Sequence, residues 1–312
     1  MSLFAKIRGG FAFLGYVLNT FFWIVPILIF SIVKLIPIAS LRTACSYILD
    51  NCASAWISVN TIIESVMHPL RIKQTGDSNF SEKQWYMVIA NHQSWVDILI
   101  LQRVLNRKIP FLKFFLKQEL IYVPVLGLAW WALDFPFMRR YSNAQIKKNP
   151  KLKGKDIEET RRACEKFKYK PVSVMNFVEG TRFTDKKHSK QGSQFDHLLK
   201  PKAGGMAFAL SMLGEQINTL VDVTIHYPNR VPTFWEYICG ELDEVNVDIQ
   251  IQAIPDAMRG DYINDRQFKI DFQEHLNQIW LAKDERLSEL NQISAQLDAP
   301  LNASTEQVKQ EV

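Results

Sequence analysis

Between Gly9 and Val33 the chain runs for 25 residues without a charged side chain, GGFAFLGYVLNTFFWIVPILIFSIV. About 20 apolar residues in a helix suffice to cross a bilayer, so this run predicts a membrane-anchoring segment ahead of whatever domain follows. A secretory signal fits poorly, because the stretch is too long and no small-residue cleavage site follows it. Lys6 and Arg8 precede the run and Lys34 and Arg42 follow it, so loop charge gives it no direction. Pro26 either kinks the helix or turns it back as a hairpin. A second apolar stretch, Cys52 to Met67, has Glu64 as its single charge and reads as an interfacial helix.

Charge is distributed unevenly. Residues 1–200 hold 29 Lys and Arg against 14 Asp and Glu, whereas residues 201–312 hold 8 against 18. A basic first part calls for an anionic partner, whether phosphate, an anionic lipid surface or nucleic acid, unless it is only a solvated face. Nucleic acid is disfavoured, because no recognition motif accompanies the basic residues. The four cysteines (Cys45, Cys52, Cys164, Cys239) form no CxxC pair and no zinc spacing with the histidines. They read as scattered thiols in a reducing compartment, and no metal is expected.

Beyond the anchor, buried-strand patterns alternate with helical ones. Trp85–Ala90, Val172–Val178 and Leu220–Tyr227 read as buried strands, and Val245–Ile254 alternates as a half-exposed one. Trp95–Leu105, Glu158–Lys168 and Gly204–Leu213 read as helices, and 111–138 is an apolar stretch punctuated by Pro124, Gly127 and Pro136. This order predicts an α/β fold with a mainly parallel sheet flanked by helices. A long helix follows from Arg266 to Leu297, with Phe268, Phe272, Ile279, Leu287, Leu290 and Ile293 as buried positions. The expected division is anchor and interfacial helices at 1–69, a catalytic domain at 70–260, a helical extension at 261–298 and a disordered polar tail at 299–312.

Three segments are suited to chemistry. Asn91-His92-Gln93-Ser94-Trp95-Val96-Asp97 follows a strand and opens a helix, where α/β folds commonly place reacting groups. Acyl transfer to a hydroxyl needs a base near neutral pH, and an aspartate on one imidazole nitrogen would fix the tautomer and free the other. Five positions apart, the two would diverge on a regular helix, so His92 must sit in the turn and Asp97 in the first helical turn. Phe177-Val178-Glu179-Gly180-Thr181-Arg182 also follows a strand; Gly180 permits a tight turn, and Arg182 with Thr181 suits a phosphate. Taken alone it reads first as an ordinary strand-to-loop turn with a surface arginine. Lys117-Gln118-Glu119-Leu120 and Phe135 to Arg140, with Arg139 and Arg140, set cations beside apolar residues. That suits a charged head with a greasy tail, or side chains snorkelling at a membrane. GxSxG, HExxH, P-loop and dinucleotide glycine motifs do not occur. Direct attack by a substrate hydroxyl on an activated thioester is therefore the economical mechanism.

Together these segments resemble the glycerolipid acyltransferase family typified by 1-acyl-sn-glycerol-3-phosphate acyltransferases. The family's NHxxxxD is met by Asn91, His92 and Asp97, its Lys-x-Glu-Leu by Lys117 to Leu120, its basic block by Arg139 and Arg140, and its EGTR by Glu179 to Arg182. Asp222 stands where the fourth block usually has proline, a departure that with FVEGTRFT and ALDFPFMRRY resembles the lysocardiolipin-type subgroup and its bacterial relatives. The resemblance covers roughly residues 70–230 and implies a glycerol-3-phosphate-acyltransferase-like fold. It also implies His92 as general base oriented by Asp97, with no covalent acyl-enzyme. Lys117, Arg139, Arg140, Glu179, Gly180, Thr181 and Arg182 would bind substrate, with Glu179 orienting the glycerol. The implied partners are acyl-CoA or acyl-carrier protein as donor, lysophosphatidic acid or another lysophospholipid (lysocardiolipin or lysophosphatidylglycerol type) as acceptor, and the bilayer. No cofactor is implied. The expected location is the cytoplasmic membrane, with the catalytic domain on its cytoplasmic face. Thioester hydrolysis and a non-catalytic lipid-binding scaffold are the competing classes; the EGTR block argues against the first and the His92–Asp97 pair against the second.

Overall fold

A computed structural model describes residues 1–138, 148, 167, 170–262 and 264–310, the stretch 297–310 as helical backbone. Helix α1 (Leu3–Val33) is continuous through Pro26, so the proline neither ends nor reverses it. The chain turns back at residues 34–38 and returns as α2 (Ala39–Met67). Tyr16 meets Glu64, Asn19 meets Asn60 and Thr20 meets Trp56, an antiparallel pairing. The inward face of α1 is mostly small or polar, Ala5, Gly9, Ala12, Asn19 and Ser31, with Ile24 and Ile27 buried toward its C-terminal end. Its outward face exposes Phe4, Phe11, Leu18, Phe22 and Val25, the reverse of a helix designed to face water.

A six-stranded sheet follows in the order β1-β8-β7-β2-β6-β3, where β1 is Arg71–Gly76, β2 Trp85–Ala90, β3 Leu112–Phe114, β6 Ser173–Asn176, β7 Ile217–His226 and β8 Glu244–Ala253. All neighbours are parallel except β7 with β8, as the alternating strands and helices require. The short strands β4 (Leu116–Lys117) and β5 (Phe137–Met138) form a separate ribbon, with α4 (Leu126–Ala132) between them. Strand β2 is buried on both faces. Tyr86, Val88 and Ala90 pack with α3 (Val96–Leu105), while Met87 and Ile89 pack with α6 (Ala203–Leu213) and the long α8 (Arg266–Gln310). The remaining helices, α5 (Asp185–Gln191) and α7 (Phe234–Ile238), are short.

Helix α8 completes the core instead of extending from it. Phe272, Leu276, Trp280 and Leu287 are fully buried in the cluster under β2 and β7. Phe268 and Ile279 are only partly buried and Ile293 is exposed, because the buried stripe follows Phe272, Leu276, Trp280 and Leu287. The segment from residue 299, expected from its polarity to be a disordered tail, is described as helical backbone to Gln310. The expected helix at Glu158–Lys168 lies outside the described residues, apart from Phe167.

Asp222 departs from the family pattern for a reason within this packing. It lies on β7 opposite Ile89, and Lys283 of α8 reaches it at 2.6 Å. The Lys283 ammonium also donates to the Val223 carbonyl (2.7 Å) and the Thr224 hydroxyl (3.0 Å). Burial pushes the Asp222 carboxyl up, and Lys283 opposes that. Removing one member of a buried pair strands the other charge. Lys283→Met should therefore lower unfolding free energy by about 3–5 kcal/mol, while the double change Asp222→Leu with Lys283→Met should recover most of the loss. Denaturant unfolding measures this; a single variant as stable as the parent would show that the pair does not hold α8.

Candidate active site

Three parallel strands deliver their carboxyl ends to one edge of the sheet, and the loops after them form the site. Asn91 directly follows β2, and its amide exchanges two hydrogen bonds with the Ile225 backbone on β7, at 2.9 and 2.8 Å. That clamp fixes where the chain leaves the sheet. His92 follows, and its ring lies on Phe177, from the loop after β6, with centroids 4.0 Å apart and planes inclined by 16°.

The His92–Asp97 spacing works as the sequence required. Asp97 occupies the first turn of α3 and is buried, while His92 lies outside the helix. Asp97 Oδ2 accepts from His92 Nδ1 at 2.9 Å, and also from the backbone N–H groups of Gln93 (2.6 Å) and Ser94 (2.9 Å). Oδ1 accepts from the Tyr227 hydroxyl at 2.6 Å. With Nδ1 donating to a carboxylate, Nε2 is left as an acceptor toward the open side, where the imidazole is part-exposed. Burial pushes the Tyr227 phenol well up, with the Asp97 charge adding to it, so it stays a donor.

Glu179 does not sit where the family resemblance placed it. Its side chain is fully buried, one oxygen accepting from the His92 backbone N–H (2.8 Å) and the other from that of Leu199 (2.9 Å). Both oxygens face into the protein, so the carboxylate braces the loop under His92 and leaves no face for a glycerol. Burial raises its pKa to about 7, with Asp97 adding to the rise, although the two N–H donors oppose it.

Gly180 turns the chain at φ +68°, a left-handed value that a side chain tolerates poorly. A Cβ there would also come within 3.3 Å of Lys202 Nζ. Arg182 is exposed and its guanidinium lies 4.8 Å from the centre of the Trp95 ring. The Lys187 ammonium donates to the Thr181 hydroxyl and the Arg182 carbonyl, both at 2.8 Å, locking the turn and leaving the Thr181 proton free to donate. Lys117 is exposed on β4, three residues beyond Phe114, whose ring stacks with Phe177 at 6.2 Å. The structure thus gathers His92, Asp97, Glu179, Gly180, Thr181 and Arg182 at one edge. Arg139 and Arg140 lie outside the described residues.

Sequence reasoning passed over Tyr227, Trp95, Lys187 and Lys202. Tyr227 had a legible signal: a tyrosine ending a buried parallel strand points into the edge where such folds place their chemistry. Lys202 had none, since only the fold brings it beside Gly180. Among the described residues no group of three or more His, Cys, Asp or Glu is placed to hold a metal ion.

A histidine–aspartate pair thus stands at the carboxyl edge of a parallel sheet, beside a turn that carries an exposed arginine. The chain belongs to the acyltransferase family, whose model matches residues 71–227. It is similar to 1-acyl-sn-glycerol-3-phosphate acyltransferase delta of Homo sapiens, 26% identical over 185 residues that cover 55% of this chain and 46% of that protein. A probable 1-acyl-sn-glycerol-3-phosphate acyltransferase 5 of Arabidopsis thaliana is 25% identical over 268 residues, covering 80% and 66%. The chain spans about half the length of most of these curated relatives. Among solved structures, the 1-acyl-sn-glycerophosphate acyltransferase of Thermotoga maritima aligns with a TM-score of 0.49 and 17% identity, over 91% of this chain and 98% of that one.

Glu179 gives the site a pH signature. A carboxyl raised to about 7 in the fold binds protons that the unfolded chain, near its ordinary 4.5, has lost. Its contribution is therefore full below about pH 4.5 and is lost as pH rises through 7. Glu179→Gln removes this titration and also one of the two backbone hydrogen bonds. The stability advantage of the parent over the variant should shrink between about pH 4.5 and 7, where the folded carboxyl holds a proton that the unfolded one has lost. An advantage that stays constant or grows with pH would contradict the assignment.

Proposed function

We propose that the protein transfers a fatty acyl group from a thioester, acyl-CoA or acyl-carrier protein, to the free hydroxyl of lysophosphatidic acid, giving phosphatidic acid. The observation that carries this is the His92–Asp97 pair at 2.9 Å, opening beside the exposed Arg182. The acceptor hydroxyl attacks the thioester carbonyl while His92 Nε2 takes its proton, and Asp97 stabilises the imidazolium through Nδ1. The tetrahedral intermediate then collapses, breaking the carbon–sulfur bond. The proton held on Nε2 passes to the departing thiolate, so the enzyme returns to its starting state with no acyl group attached.

Arg182 provides a planar fork for the acceptor phosphate, its stem and turn held by Trp95 and Lys187. Lys202 adds a second cation beside Gly180, and the exposed Lys117 is available on the other side of Phe114. A lysophospholipid with a larger head group is the alternative acceptor. Asp222 no longer favours it, because that side chain is engaged by Lys283 inside the core.

The membrane reading rests on α1 and its neighbours. Near its N-terminus Arg8 donates to the carbonyls of Cys239 and Gly240, and near its C-terminus Ile27 packs with Leu133 and Phe135 while Lys34 pairs with Asp134. A helix attached to the catalytic domain near both ends lies along that domain. Its exposed phenylalanines and leucines then enter one leaflet, as an interfacial hairpin on the cytoplasmic face.

His92→Ala should reduce acyl transfer by about 10²–10⁴-fold without loss of folding or vesicle binding. A folded variant turning over at the parent rate would remove this mechanism. Arg182→Lys should raise the acceptor's KM by about 10-fold, toward the lower end of a lost charge-assisted hydrogen bond because the charge remains, with the donor's KM little changed. Steady-state kinetics varying each substrate separates the two; a shift confined to the donor would move Arg182 to the thioester's site.

A further inference from the structure

A cavity of about 510 Å³ lies between the end of α1, the start of α2, β3 and the end of α4, and shares no lining residue with the histidine site. Its volume falls within the roughly 300–1,000 Å³ typical of ligand pockets. Among the described residues, the cations Lys34, Arg42, Lys113 and Lys170 line it together with the carboxylate of Asp134, and Asp50 lies just behind.

Lys113 and Lys170 are both buried and both depend on Asp50, at 3.3 and 2.5 Å. Their remaining contacts are neutral: Lys113 donates to the Leu133 carbonyl (2.7 Å) and Lys170 to that of Ser46 (2.6 Å). Lys34 pairs with Asp134, whose backbone adopts a left-handed φ of +58°. Arg42 is exposed at the rim and donates to the Ile36 carbonyl at 3.2 Å. Among the described residues one carboxylate, Asp50, thus serves two buried ammonium groups, and an excess charge is costly away from water. Burial lowers the Lys170 ammonium to about 8, and Lys113 and Lys34 add to the lowering against Asp50. A bound anion would relieve that imbalance.

The surroundings narrow the anion's class. Leu35 and Trp131 form part of the wall and are exposed, and Ile32, Ile36 and Ile38 project beside them from the same turn. A fully soluble anion would gain nothing from this apolar collar, whereas an amphiphile would fill both parts. We propose that this cavity is a second lipid site, taking the phosphate head of an anionic membrane phospholipid and seating the α1–α2 turn on a negatively charged surface. The proposal rests on the interfacial reading of α1 but not on the chemistry at His92.

Amine acetylation followed by mass spectrometry reads the site directly. Lys170 should be acetylated more slowly in the presence of dihexanoylphosphatidylglycerol, by at least about fivefold, because a phosphate added to its Asp50 pairing would cover the amine and hold it protonated. Exposed Lys83 serves as the internal reference and Lys117 reports any occupancy of the transfer site. Dihexanoylphosphatidylcholine, whose head is neutral overall, and inorganic phosphate at the same concentration should protect little. Arg42→Gln should weaken the protective affinity about three- to tenfold while acyl transfer is unchanged, since one exposed charge contact is lost. Equal protection by inorganic phosphate would make this a free-anion site, equal protection by the choline lipid would refute the charge argument, and no protection by any of the three would refute the site. Flotation on vesicles separates the two readings: a protein that floats with Lys170 unprotected loses only this proposal, whereas one that does not float loses the interfacial reading as well.

Discussion

Asp97 is the carboxylate through which local and long-range structure meet. It accepts from His92, from the Gln93 and Ser94 backbone and from Tyr227. A buried carboxylate is tolerated only when its oxygens are hydrogen bonded, and these four donors satisfy both of them. The two backbone bonds make Asp97 the element that shapes the turn between β2 and α3. The same oxygen then meets His92, so the geometry of the loop and the orientation of the imidazole are set together. Tyr227 ties this unit to β7, which Asn91 also grips through Ile225.

That double role explains why a pair five residues apart was legible. On a helix the two positions would point away from each other, but a carboxylate folding back over the turn that precedes it brings them to one place. The strands were legible for a different reason. Trp85–Ala90 and Leu220–Tyr227 are short apolar runs bounded by polar residues, and a parallel strand covered on both faces needs that pattern. Less was legible where a residue's role depends on what packs above it. Glu179 belongs to a motif that suggests substrate contact, yet burial turns its carboxylate toward the backbone of His92 and Leu199. Asp222 read as a departure of uncertain meaning until Lys283, sixty-one positions away, supplied its partner. No local pattern predicts which helix will arrive over which strand.

The apolar N-terminal run posed a related problem. Length and composition fit a bilayer span, and the same criteria are met by a helix lying on a surface. What separates the two is the distribution of small residues. Gly9 approaches Cys239 so closely that a Cβ would come within 2.3 Å of its sulfur, and Ala12 is buried in the core beneath β2. A helix surrounded by lipid has no need of a close approach to a protein domain at one end and an ion pair to it at the other. The run is thus legible as apolar, but its orientation is written in the minority of residues that are not large.

The long C-terminal helix lies beyond the matched family region, yet it is connected to His92 by a short series of contacts. Trp280 donates from its indole to the Leu199 carbonyl at 3.1 Å, and Asp284 accepts from the backbone of Asp196 and His197 at 2.7 and 2.8 Å. These contacts fix the loop whose Leu199 N–H holds Glu179, and Glu179 in turn holds the His92 backbone. Lys283, between them in sequence, draws β7 to the same helix through Asp222. Two of the three strands that define the site are therefore reached from one face of α8, one through a loop and one directly. A turn carrying a glycine at positive φ and an exposed arginine has little packing of its own to hold it still. Rigid support must come from behind, and in this protein the buried stripe of α8 supplies it.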